Sequence, residues 1–185
     1  MSVLSGGSTK AQASACKALE GAMALYKARN KQVDFLSNMS EKHGMSESVV
    51  NQLCNLCGRS DDDLQGSAIH ILEDILRQDV GARLLLHGKS EINRICQLLI
   101  SSRDQTQKDA ALTLAHLVEG GDDVAKKGIQ QSNGGRYLCM LLSSRSGPVR
   151  TAALDTTMHL ISGNASNFQQ MAVLDSAKSD IVEAG

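Results

Sequence analysis

Several small groups of residues have types and spacings that chemistry could use. Cys54 and Cys57 form a Cys-x-x-Cys pair, a spacing that suits a thiolate metal site or a redox dithiol. Zinc needs four ligands, commonly two such pairs, and the chain has one. Gly88-Lys89-Ser90 resembles the end of a phosphate-binding loop. That loop also needs a preceding strand and a glycine five residues before its last one, where Arg83 stands. His70 with Asp74, and Asp155 with His159, are spaced i, i+4, so each pair shares one helix face and offers two ligands or an acid–base couple. No nucleophile accompanies either pair. No catalytic, cofactor or metal site is therefore expected.

An internal repeat carries these groups. Residues 50–56, VNQLCNL, lie over residues 92–98, INRICQL, at an offset of 42 that places Cys54 on Cys96. The register continues without a gap, with Ala68 on Ala110, Leu72 on Leu114 and Leu76 on Val118. A further offset of 43 places Cys96 on Cys139, Leu98-Leu99 on Leu141-Leu142, and His116-Leu117-Val118 on His159-Leu160-Ile161. Each copy reads as two helices with one apolar face apiece, separated by a polar turn. In residues 133–162, Pro148 opens the second helix, where its missing N–H has no partner to lose. The recurrence of Cys54 on an apolar face makes buried structural thiols the expectation for Cys54, Cys96 and Cys139, with neighbouring copies beyond disulfide reach. Leu99 and Leu142 are expected to be core, and Gly88 to end a helix.

Composition fits this plan. In 185 residues, 42% are hydrophobic but only 2% aromatic, so small aliphatic side chains must fill the interior, as between closely packed helices. A net charge of −1 gives no basic block for counterion release, so nucleic acid is not expected as a partner. No 18-residue apolar run or signal sequence is visible, so no membrane insertion is expected. The five cysteines then suggest a reduced compartment, cytoplasmic or nuclear. The sequons at Asn38 and Asn164 are read as accidental.

Domain organisation follows from the repeat. Residues 1–8 read as a flexible tail, and 9–45 as two N-terminal capping helices, the second over 32–42. Residues 46–90, 91–131 and 132–163 are the repeats, with residues 80–87 a connecting segment within the first. A partial unit occupies 164–185, with a helix over 166–174. It is either a piece of a longer array or a terminal cap. Asp61, Asp62 and Asp63 are placed to cap the helix that follows them.

A short helix ending AKKGIQQSNGG, an apolar helix containing Cys139 and Leu141-Leu142, a Ser/Arg turn, and then Ala152-Ala153-Leu154 with His159-Leu160 resemble the armadillo repeat. The resemblance runs from about residue 46 to the end and is clearest over 122–162. It implies an all-α, right-handed armadillo-like solenoid of about three repeats. It also implies that the third helix of each unit lines a concave groove holding an extended protein segment. Nuclear-import receptors of that family line the groove with Trp and Asn four residues apart. Here the Asn place falls to Asp74, His116 and His159, and the Trp place to His70, Leu112 and Asp155. Capture of a basic import signal in that manner is thus not implied. The resemblance points instead to a non-enzymatic scaffold or adaptor with a polar groove, binding a protein or peptide segment, alone or within a longer array or multi-subunit complex. The alternative is a structural module of a larger assembly, for example a cytoskeletal one, that uses its ends or convex face.

Overall fold

A computed structural model gives the fold and describes residues 7–28, 45–78, 80–86, 88–119 and 122–162. The second capping helix expected over 32–42 and the partial unit over 164–185 lie outside the described residues. Those described form helices and no strand: α1 (Thr9–Ala28), α2 (Met45–Cys57), α3 (Asp62–Gln78), α4 (Val80–Arg83), α5 (Lys89–Leu98), α6 (Asp104–Val118), α7 (Asp123–Gln131), α8 (Gly134–Leu141) and α9 (Gly147–Ile161).

Local chemistry sets the helix starts. Asp61 Oδ1 accepts from the Leu64 N–H at 2.9 Å, and Asp122 Oδ1 accepts from the N–H groups of Val124 and Ala125 at 2.8 and 3.2 Å. Pro148 lies in the first turn of α9, as its sequence position predicts. Gly88 begins α5 rather than ending a helix: it is the N-cap, in extended conformation, with no side chain to offer the first turn. Residues 80–83, read from sequence as connecting chain, are the short helix α4. Ala82 and, just beyond it, Leu86 are buried there, and a four-residue helix is too short to show a helical period in the sequence.

The helices form two layers. α2, α5 and α8 pack side by side in one layer, and α3, α6 and α9 in the other; each member of the first packs on its sequence neighbour in the second. α1 lies against α3, extending the second layer on its near side. α4 packs on α2, and α7 on α5, so each short helix sits on the first-layer helix of its own unit. Between the layers is one continuous aliphatic core, including Leu53, Leu72, Ile95, Leu99 and Leu114, all fully buried.

None of the five cysteines forms a disulfide. Burial pushes the Cys16 thiol up to about 11, and Cys54 and Cys96 to about 12, so these thiols are unreactive near neutrality. Two sequence expectations fail at α8. Cys139 is half-buried, not buried like Cys96, and Leu142 is 36% exposed where its counterpart Leu99 is 0%. The physical reason is position: α7 covers α5, whereas no described helix holds the equivalent place over α8.

Candidate functional site

The candidate site is built from one face of the second layer, α3, α6 and α9. Residues on α3, α6 and α9 that share a register position share a face, so His70, Leu112 and Asp155 form one row across the helices, and Asp74, His116 and His159 the next. All six lie on the predicted helices, but their contacts differ from those the spacing suggests.

His70 does not pair with Asp74. Its Nδ1 lies 3.0 Å from Oδ2 of Asp109 on α6, a carboxylate whose side chain is 2% exposed while the imidazole is 45% exposed. Gln105 Nε2 donates to both oxygens of Asp109 at 2.9 Å, and Lys108 Nζ stands 3.5 Å away. Burial alone would push the Asp109 carboxyl up, but the hydrogen bonds from His70 and Gln105 outweigh it, leaving Asp109 below its ordinary range. The same hydrogen bond raises His70 above the ordinary imidazole value, against a smaller opposing effect of burial.

Asp74 is buried and forms an ion pair with Arg77 one turn on. The cross-helix partner of His116 is instead the buried Glu73, with Nε2 to Oε1 at 3.2 Å. Arg77 Nε also reaches Glu73 Oε1 at 3.4 Å. On its other side His116 Nδ1 lies 3.8 Å from Glu119 Oε2, which accepts from Arg83 Nη1 at 2.6 Å. A chain of alternating basic and acidic side chains thus runs from Arg77 through Glu73, His116 and Glu119 to Arg83. Leu112 is half-buried against the core. On α9 the in-helix pair is present: His159 Nε2 is 3.7 Å from Asp155 Oδ1, with Asp155 exposed and His159 partly so.

The row therefore joins α3 to α6 by two reciprocal imidazole–carboxylate contacts and leaves the α9 pair facing outward. Sequence reasoning missed Asp109 and Glu73. Each is acidic at a position flanked by apolar residues, Asp109 before Ala110-Ala111 and Glu73 after Leu72, which is the available signal for a buried acid in need of a partner. Beside this row, a cleft of about 550 Å³ opens between α1, α3 and α6. Lys17 and Glu20 of α1, Asp63 and His70 of α3, and Arg103 and Gln105 line it. Arg103 closes one side through its ion pair with Asp63.

The arrangement offers hydrogen-bonding and ion-pairing groups along one face of the second layer. Cys54 and Cys57 lie buried in the core, Lys89-Ser90 opens α5, and the described residues contain no group of three metal-ligating side chains. No described helix is long and apolar enough to cross a membrane.

No protein-family model matches the sequence, and no curated protein does. Among solved structures, the chain is similar to two engineered proteins, Northeast Structural Genomics Consortium targets OR329 and OR366. The TM-scores are 0.70 and 0.69, with 20% and 18% identity over 94% of this chain. A third engineered protein, target OR497, gives a TM-score of 0.60 at 20% identity, again over 94%. The chain spans 66%, 67% and 50% of these three proteins. At such identities the likeness is one of fold: an all-helical, repeat-like arrangement.

Proposed function

We propose that the protein is a non-enzymatic interaction scaffold or adaptor of right-handed, armadillo-like form. It would hold an extended partner segment along α3, α6 and α9. His70, Asp74, Leu112, His116, Asp155 and His159 would form the floor of the groove, in a cytoplasmic or nuclear setting. The observation that supports this reading is the open cleft of about 550 Å³ bounded by α1, α3 and α6, which meets the polar row at His70. An extended segment needs donors and acceptors for its own backbone, and half-buried imidazoles with buried carboxylates behind them are oriented hydrogen-bonding groups. Acidic groups on the segment would face His116 and His159. The charged groups around these imidazoles are Glu73 and Glu119 for His116, and Asp155 for His159.

The test begins with a random peptide library displayed on phage and panned against the whole chain. The best binder is then measured by calorimetry on the wild type and on the His116→Ala, His159→Ala double variant, at pH 6 and pH 8. A loss of about tenfold or more in affinity, roughly 1.4 kcal/mol, supports the groove. Equal affinity on both proteins at both pH values sinks it. A second reading, a structural module within a larger assembly, is favoured by one specific observation: Leu154 and Met158 are 53% and 56% exposed on the outer face of α9.

A further inference from the structure

We propose that the cleft between α1, α3 and α6 anchors a single carboxylate side chain, Asp or Glu, of the partner segment, held by Nε2 of protonated His70 and by Lys17. This contact rests on the groove proposed above, as one anchor of the segment held there. His70 sets the chemistry. Its Nδ1 is engaged by Asp109 Oδ2 at 3.0 Å, while the partly exposed ring lines the cleft. Among the described residues Nε2 has no hydrogen-bond partner. A proton held on Nδ1 by Asp109 decides what Nε2 can do. In the charged ring Nε2 donates; in the neutral ring it presents a lone pair, which repels a carboxylate. The Asp109 hydrogen bond raises His70 above the ordinary imidazole value, which extends the donating form upward in pH. Small residues leave room beside the ring. At Gly66 the two helices come so close that an added Cβ would stand 3.2 Å from Thr106 Oγ1.

Charge balance selects an occupant with one negative charge. The lining sets Lys17, Arg103 and His70 against Glu20 and Asp63. Asp63 is matched by Arg103 in an ion pair, and Asp109, behind the ring, has Lys108 Nζ 3.5 Å away. Asp74, which also acts on His70, is paired with Arg77. Asp61 and Asp62 act on Arg103 from beyond the lining. Lys17 and protonated His70 therefore face one unmatched acid, Glu20, a surplus of one positive charge that disappears when His70 loses its proton. A carboxylate is neutralised there, whereas a dianion would carry a second charge with no cation to meet it.

Solution NMR on the whole chain tests this, with N-acetyl-glutamate N-methylamide as the probe. Its glutamine counterpart is the neutral control and inorganic sulfate the dianion. At pH 6 the glutamate probe should give saturable shifts at the His70 ring and at Lys17, with affinity at least about tenfold above that of the glutamine probe. At pH 9 its binding should weaken about tenfold or more. His70→Gln should show the weak binding at both pH values. Glu20→Gln should tighten binding about threefold, and Lys17→Ala should weaken it by a similar factor. Both lie on α1 away from the α3–α6 contact, so they remain informative should His70→Gln fail to fold. Absence of shifts at His70, equal response to the glutamine probe, or equal affinity at pH 6 and pH 9 would overturn the proposal. Sulfate bound more tightly than the glutamate probe would also overturn it. The probe has no segment to lay along α6 and α9, so its failure leaves the groove and its His116, His159 test standing. Failure of that test with the glutamate probe still bound would remove the groove and keep the carboxylate site.

Discussion

The α3–α6 and α6–α9 junctions occupy successive positions in the same layer but are held by different chemistry. At the first, His70 contacts buried Asp109 and His116 contacts buried Glu73, one imidazole from each helix. At the second, the Thr156 hydroxyl is shared between the carbonyl of Ala111 on α6 and that of Ala152 in its own helix, both at 2.8 Å. Ala111, Ala115, Ala152 and Ala153 are buried around that second junction. Small residues and one hydroxyl let backbones approach closely, whereas the first junction spans its gap with longer, charged side chains. The repeat thus conserves geometry and exchanges the interaction, so only one of its junctions should respond to protonation.

Four substitutions can break or sharpen this contrast. Leu114 is fully buried on α6, the helix both junctions share. Leu114→Ala should cost about 2–5 kcal/mol in denaturant unfolding, and both junctions should be lost in one transition. Two separated transitions would make the junctions independent units. Asp109→Ala should cost about 1–3 kcal/mol, because it strips His70 and Gln105 of their common acceptor.

The sign of the pH effect at the first junction follows from the pair. His70 is raised above 6.5, so its contribution is complete below that value and fades as pH rises through the raised pKa. Asp109 is lowered from 3.8, so its contribution is present above 3.8 and fades as pH falls through the lowered pKa. The two partners report one interaction, greatest between these limits. Wild-type stability should therefore fall as pH rises from 6.5 through the raised His70 value, and Asp109→Ala should flatten that slope. An unchanged slope would place the response elsewhere.

Thr156→Val, nearly isosteric, should cost about 0.5–1.5 kcal/mol at the second junction, equally at pH 6 and pH 8. A loss confined to one pH would erase the distinction between the junctions. His159→Ala should change stability by no more than about 0.5 kcal/mol, since the pair with Asp155 stays within one helix and faces solvent.

The sequence displayed the repeat because burial repeats: Cys54 over Cys96 and Leu72 over Leu114 keep one face apolar whatever the neighbours do. It also placed His70, Asp74, Leu112, His116, Asp155 and His159 on the helices where they occur. Contacts were harder to read, because a spacing of four identifies neighbours only within one helix. His70 found its partner 39 residues away, across a junction, and His116 found Glu73 rather than Asp74. Thr157 stands where α6 has Leu114, yet Val149, Ala152, Ala153, Thr156 and Leu160 keep the same buried line, so the helix is not turned. Cys139 and Leu142 were misjudged for a different reason: their exposure depends on what lies over α8, which a register of self-similarity does not contain.

The run of basic and acidic side chains from Arg77 to Arg83 has a consequence for the energetics of the α3–α6 face. Glu73 Oε1 serves both Arg77 and His116, and Glu119 Oε2 serves both His116 and Arg83. No link can be severed without changing the field at the next, so single-residue losses along the run should not sum to the loss on removing the whole. Arg83, seated on the diminutive α4, thereby becomes an electrostatic neighbour of Arg77 on α3 through three intervening side chains. Added salt should weaken the exposed end at Glu119 before the buried one at Glu73, so the run would loosen progressively from one end.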